Sequence, residues 1–565
     1  MEQTTKRSRQ FASLLLLAIA LAPFRLAAQT RTLGLFLDDS AAAPGYTLFA
    51  PMHYTTTYLI DDSGRLCHSW QSHWQPGRTV SLLENGDLLH ACFNAPSPNP
   101  WFPGCGEGGR TEEHDWDGNL VWAFNYWDSM HLQHHEVRPM PNGNVLMIAY
   151  DRLTPAQAIA LGRRPDHIIE GAVWPDHVVE VQKTGESTGT IVWEWHVWDH
   201  LIQDYDSTKA NYGNVAQHPE LADFNFGPSQ ACWNHTNSIC YDADLDQILL
   251  SVRGFSEVWV IDHSTTTEQA RGHTGGRGGK GGDLLYRWGN PQAYRAGTGA
   301  DEQLYQQHDA EWISAGCPGA GDILIFNNGI GRPGGDYTTV NEIVPPVDSL
   351  GHYYLPPGGH YGPAAACWTY TASPPSSFYS SEISGAQREP DGNTLIDDGI
   401  HGVFFEIAPD TSMVWRYVNP VADTGPMYQG DTAADDPAHP GQKMNAVFRI
   451  HRYAPDYPGL VGRNLTPQGP IEHYHQGVEQ EPSCSNLGPR LLWGQSGVLS
   501  FTNLPARGMV ELYAVTGRLV RRQFFARPGE RYAWDVGEIG TGAYVCIVRE
   551  SAGRVLMRTK VVRVY

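Results

Sequence analysis

The chain of 565 residues reads as all-β, a β-propeller followed by a small C-terminal β-sandwich of Ig-like type. Three observations predict this. A frame of two short strands, a turn and a third strand ending in tryptophan recurs from Tyr46 to Tyr453. Asn-Gly and Asp-Gly dipeptides mark many of its turns, the strongest short-range hairpin signal. The composition, with 60 Gly, 39 Pro, 18 Trp and few charges, suits short strands joined by many turns. The repeat endings align as DDSGRLCHSW, DWDGNLVWAF, GTIVWEWHV, GDLLYRWGNP and APDTSMVWRYVNP. They put Trp70, Trp122, Trp193 with Trp195, Trp288 and Trp415 in outer strands, one aromatic anchor per unit for blades packed face to face. On repeat length alone, a pair of sandwiches or a solenoid competes with the propeller.

In chain order, Lys6, Arg7 and Arg9 precede an apolar stretch from Phe11 to Phe24, then Leu26-Ala27-Ala28 before Gln29. This is the pattern of a signal peptide over residues 1–28. The stretch is short for a bilayer, so an uncleaved anchor is the weaker reading and no transmembrane span is expected. Residues 29–462 form the propeller, with loops 153–176 and 264–283 inserted between strands to shape one end. The segment NAVFRIHRY, 445–453, is expected to return and complete the first blade. Residues 463–490 are rich in turn formers and read as a linker. Residues 491–565 alternate as a compact antiparallel sandwich, and their charge turns basic.

A net charge of −22 argues against a nucleic-acid partner, which needs a Lys/Arg footprint on phosphates. Nine cysteines fit an oxidising compartment and leave at least one unpaired. Cys92 and Cys105 bracket a Pro-rich insertion and are the candidate disulfide.

Candidate chemistry gathers on His135, His235 and His308, each entering a copy of the repeat: HHEVRPMPNGNVLMIAYD, NHTNSICYDADLDQILLSVRG and QHDAEWISAGCPGAGDILIFNNG. Copies near residues 80 and 385 keep the frame without the histidine. First strands of propeller blades line the central channel, so equivalent places point at one axis. Any one of these imidazoles alone reads more readily as a structural histidine; three in register mark a site. Arg253 closes the strand pair opened by His235 and offers a planar fork to an oxyanion, or else a surface ion pair. Asn237 adds a neutral donor two residues beyond His235, or else a turn contact. His134 neighbours His135, which is preferred because it shares the frame of the other two. Three histidines suggest zinc with an open position, but a fixed cation beside a dication is unfavourable, so neither metal nor cofactor is expected. The remaining chemistry is transfer of an oxygen-rich anionic group: a neutral histidine attacks while cationic groups stabilise charge on oxygen. Arg253 would keep nearby imidazoles neutral.

The strings DWDGNLVW, HHEVRPMPNGNVL, HTNSICYDADLDQILLSVR, QHDAEWI with GDILIFNNG, and SGAQREPDGNTLIDDG with VWRYVNP together resemble the bacterial arylsulfate sulfotransferase family. The resemblance covers residues 46 to about 453. It implies a six-bladed propeller that transfers sulfuryl groups between phenols without a nucleotide donor. By that resemblance His308 is the histidine that becomes sulfated, His235 and Arg253 bind the sulfuryl oxygens, Asn237 belongs to the same string, and His135 is the remaining pocket histidine. Aryl sulfates and phenols are then the expected partners. The tail, through VELYAVTGRLV, GTGAYV and the closing RTKVVRV run, resembles a type IX secretion sorting domain. That implies the matching export machinery and a secreted or cell-surface address, reached through the periplasm. A non-catalytic surface propeller binding sulfated or aromatic ligands, and a metal-dependent lyase or hydrolase, are the alternatives.

Overall fold

The computed structural model describes residues 31–475, apart from 96–98, 105 and 107, and strand segments between 490 and 563. The signal peptide over 1–28, Cys105 and residues 476–489 of the linker lie outside the described residues. No disulfide joins the described cysteines. Among the described residues no helix is long and apolar enough to cross a membrane.

Asn-Gly and Asp-Gly turns recur with one geometry. Gly86, Gly118, Gly143 and Gly392 all take the left-handed backbone that closes a short hairpin. Each donates its N–H to the carbonyl three residues earlier, on Leu83, Asp115, Met140 and Glu389. These turns and longer loops build six antiparallel meanders. The second sheet is Pro76–Leu82, Leu88–Phe93, Gly109–His114 and Leu120–Asn125. The third is His131–Pro139, Val145–Asp151, Asp176–Gly185 and Thr188–His196. The fourth is Thr236–Asp242, Gln247–Val252, Glu257–Asp262 and Tyr286–Trp288, and the fifth His308–Trp312, Ile323–Asn327, Thr339–Ile343 and Trp368–Thr371.

The first and sixth sheets exchange the chain's ends. The first has Tyr46–Pro51, Thr56–Asp61 and Leu66–Gln71, and its innermost strand is Val447–Tyr453, paired antiparallel with Tyr46–Pro51. The return expected of 445–453 is therefore present. The sixth has Gly385–Arg388, Thr394–Asp398, Val403–Ile407 and Met413–Val418, and gains Gly34–Asp38 as a fifth, outer strand. Innermost strands contact one another in chain order from the second sheet to the sixth, and Val447–Tyr453 touches those of both the sixth and the second. They form a closed circuit.

The outer strands carry the tryptophans, and each indole N–H reaches the next sheet. Trp70 donates to Asp115 O at 3.1 Å, Trp122 to Thr188 O at 3.0 Å, Trp195 to Gly282 O at 2.7 Å and Trp288 to Pro363 O at 2.7 Å. Trp415 of the sixth sheet donates to Asp62 O of the first at 2.7 Å. Every acceptor lies in the connection between the third and fourth strands of its sheet or, for Thr188, at the first residue of the fourth. A buried indole needs such an acceptor, so the aromatic supplies both apolar area and orientation. Second strands such as Val145–Asp151 and Gln247–Val252 are buried throughout, covered on both faces by neighbouring sheets.

Residues beyond Arg463 begin by packing on the first sheet: Gln468 N donates to Leu66 O at 2.8 Å, and Ile471 is buried. The tail has a three-stranded sheet, Arg490–Trp493, Val498–Thr502 and Tyr532–Asp535. It also has a four-stranded one, Leu519–Phe525, Gly508–Ala514, Gly542–Glu550 and Val555–Arg563. Phe501, Val510, Leu512, Phe525, Cys546 and Val548 are among its buried described residues.

Candidate active site

His135, His235, Arg253 and His308 line one cavity of about 550 Å³. Each histidine enters through a distorted first strand. Ladder registers shift opposite His135, between Thr236 and Ser238, and between His308 and Ala310. His135 (φ 52°), His235 (φ 49°) and Asp309 (φ 48°) sit in the left-handed region, uncommon for residues with a Cβ. Bulges of this kind re-aim a side chain, here out of the ladder and into the cavity. The three imidazoles reach one place from different registers. His135 lies inside His131–Pro139, His235 precedes Thr236–Asp242, and His308 heads its strand.

His135 and His235 stand with ring centroids 4.8 Å apart. His308 Nδ1 lies 2.9 Å from Asn328 Oδ1. Asn328 Nδ2 donates to Ser380 O at 2.8 Å and Ile383 O at 3.2 Å, which fixes the amide with its oxygen toward the ring. That oxygen only accepts, so Nδ1 of His308 carries the proton and Nε2 keeps its lone pair. Burial holds His308 well below the ordinary imidazole value; Arg253, then His235 and Arg449, push it further down, against the Asn328 bond. His135 is likewise held well below by burial, His235, His134 and Arg78.

Arg253 sits in a tight turn, Arg253–Phe255, with its N–H donated to His235 O at 3.1 Å. The approach depends on Gly254, where a Cβ would fall 2.2 Å from Trp233 O. Among the described residues no carboxylate pairs with Arg253, and its charge falls on His308. Gly106 crosses His135 as closely: its O accepts from His135 N at 3.1 Å, and a Cβ there would meet the ring.

Two candidates named from the sequence, Asn237 and His134, stand behind the cavity wall. Asn237 is fully buried and donates to Gln307 O at 2.8 Å, holding the backbone just before His308. His134 is also fully buried, stacked on Tyr150 with centroids 3.6 Å apart. Its Nδ1 is 2.7 Å from His135 Nδ1, and its Nε2 is 3.3 Å from Asp176 Oδ1. Asp176 also accepts from Thr236 N, tying the mounts of His135 and His235 together. Cys232, on the cavity wall, lies 2.9 Å from His235 Nδ1 and 3.1 Å from Tyr150 Oη. Sequence reasoning missed Asn328, Asp176, Tyr150, Cys232 and the cavity-lining Arg78. Of these Asn328 left a trace, in the string IFNNG, where a polar residue after a strand looks like an ordinary turn former.

Beneath the histidines, three first strands meet in a buried charged layer. Arg449 of the returning strand donates to Glu136 at 2.6 Å and stands 3.2 Å from Asp309, while Arg138 reaches Glu311 at 2.9 Å. Phe448 separates this layer from the cavity, its ring 5.9 Å from His135 and 6.5 Å from His308.

A family model for arylsulfotransferase (ASST) matches residues 50–420. The chain belongs to the arylsulfotransferase family. Membership supports an aryl sulfate sulfotransferase activity in general, with aryl sulfates and phenols as substrates. All the cavity-lining residues named above fall inside the matched span, and Phe448 beneath them lies beyond it. Solved structures similar to this arylsulfotransferase include a protein of unknown function from Bacteroides caccae, at 12% identity and TM-score 0.35, over 73% of this chain and 99% of that one. Another is virginiamycin B lyase from Staphylococcus aureus, at 7% identity and TM-score 0.31, over 70% and 90%. No curated protein matches the chain.

Proposed function

We propose that this arylsulfotransferase passes a sulfuryl group from an aryl sulfate to a phenol through a sulfohistidine at His308, at the mouth of a six-bladed β-propeller. The six sheets, their closed circuit of first strands and the indole bonds from sheet to sheet support the six blades. The observation that carries the mechanism is His308 itself: Nδ1 engaged by Asn328, Nε2 left with its lone pair, and the Arg253 guanidinium alongside.

In the first half-reaction His308 Nε2 forms the N–S bond as the aryl O–S bond breaks, and the phenolate leaves with the bonding pair. Arg253 and His235 hold the sulfuryl oxygens, where fixed donors lower the barrier most. In the second half-reaction a phenol gives its proton to His135 and attacks sulfur, breaking the N–S bond. Asp176 favours the proton on His134 Nε2, so His134 Nδ1 accepts from His135 Nδ1 and leaves His135 Nε2 to take the phenol proton. Asn237 and His134 act from behind, as positioning residues.

The same reading assigns residues 1–28 to a signal peptide, 29–462 to the propeller and 491–565 to an Ig-like sandwich that addresses the protein to type IX secretion and the cell surface or medium. The mechanism is tested by giving the protein an aryl sulfate without acceptor and recording its intact mass and peptide map. One sulfuryl adduct on His308 is expected. Absence of an adduct together with full activity in His308→Asn overturns it.

A further inference from the structure

Three buried side chains, Asp151, His177 and His196, converge at one end of the third sheet with His131 beside Asp151, and none of the four lines the three-histidine cavity. We propose that His131, Asp151, His177 and His196 form a structural zinc site, with one ligand from each of the sheet's four strands. His131 begins the first strand and pairs in register with Asp151, which ends the second. His177 lies at the start of the third strand and pairs with His196 at the end of the fourth. The ligand atoms of Asp151, His177 and His196 all lie within 4.8 Å of one another.

Ligand atoms about 2.0–2.1 Å from zinc stand roughly 3.3–3.4 Å from each other. Asp151 Oδ2 stands at that separation, 3.3 Å, from His177 Nδ1. It is 2.7 Å from His196 Nδ1, a hydrogen bond that the metal would replace, and His131 Nε2 lies 3.7 Å from the other oxygen, Oδ1, so these two side chains would shift to close the site. Asp151 Oδ1 is buried without a hydrogen-bond partner and His177 Nδ1 faces the Asp151 carboxylate, in residues 1% and 0% exposed. Polar atoms so enclosed are costly unless something engages them.

The far nitrogens of two of the rings point the same way chemically. His177 Nε2 is 2.9 Å from Tyr126 Oη, and His131 Nδ1 is 3.2 Å from Asp128 Oδ2. A ligating imidazole almost always donates its other N–H to an oxygen, which fixes the tautomer and turns the free lone pair to the metal. Three imidazoles and one carboxylate are a borderline-soft set suited to zinc, whereas calcium and magnesium require oxygen-rich cages. Four protein ligands leave no open position, so the ion is structural. It fastens the strand ends next to Tyr150 and Asp176, the residues that flank His134.

Full-length protein loaded with zinc chloride and desalted is expected to retain about one zinc per chain by elemental mass spectrometry. Cobalt(II) in its place should give the visible bands of tetrahedral coordination. His177→Asn is expected to lose the metal, and His308→Asn to keep it. Tyr126→Phe preserves all four ligands and should weaken zinc in chelator competition by about 10- to 100-fold. Wild-type protein without stoichiometric metal overturns the site, as does unchanged affinity in Tyr126→Phe. So does full zinc in folded His177→Asn, or its loss from folded His308→Asn.

Discussion

Asn328 and Arg253 act on the same imidazole in opposite directions, which makes His308 a residue whose tuning can be read from a pH profile. Attack needs neutral His308. Its depressed value keeps that form present through neutral pH, so activity is expected to fall only as pH drops through the lowered value. Arg253→Met removes the largest charge holding the imidazole down and should move the acid limb to higher pH. The same variant should cut kcat by about 10²- to 10³-fold through loss of the oxygen clamp. Asn328→Leu removes a contribution that raises the value, so its acid limb should move to lower pH. The freed tautomer should cost about a hundredfold in kcat. Limbs that moved together, or stayed in place, would rule out this tuning. The histidines and Arg253 were legible as a set because they carry rare chemistry at repeated places. Asp176 and Tyr150 were not, since their roles come from register pairing between strands far apart in sequence. The left-handed turns at His135 and His235 were likewise hidden, because a histidine there leaves no glycine to signal the conformation.

At the scale of elements, the strand Val447–Tyr453 does more than complete a sheet. It contributes Phe448 under the histidines and Arg449 to the charged layer, so the site's floor arrives with the last strand of the ring. Phe448→Ala leaves a void beneath His135 and His308. It should destabilise the protein by about 3–5 kcal/mol in chemical denaturation, with kcat falling as the rings gain freedom. Hairpins marked by Asn-Gly and Asp-Gly were readable one by one, and so were their tryptophans, since local turn chemistry and one aromatic per unit are properties of short segments. The outer strand Gly34–Asp38 was not. It adds to the sixth sheet, whose other strands lie more than three hundred residues later, and no local pattern announces such a partner. Residues 464–475 carry the turn formers of a linker and lie in contact with the first sheet, a partner that no local pattern announces.

For the whole molecule, the ring and the tail are expected to separate in function. A chain ending at residue 475 should keep its kcat and its sulfuryl adduct, while one ending at residue 446 should give no cooperative unfolding transition and no activity. Thermal unfolding and phenol release from an aryl sulfate measure both. Loss of activity in the 475 variant would place the tail within the catalytic unit. The interleaved ends bear on the order of folding as well as on stability. Without residues 447–453 Tyr46–Pro51 presents a bare edge, so the first sheet is finished only when nearly the full catalytic length is present, wherever the chain folds. Until then His135 and His308 lack the floor that Phe448 supplies, and the pocket is the last part of the ring to be completed.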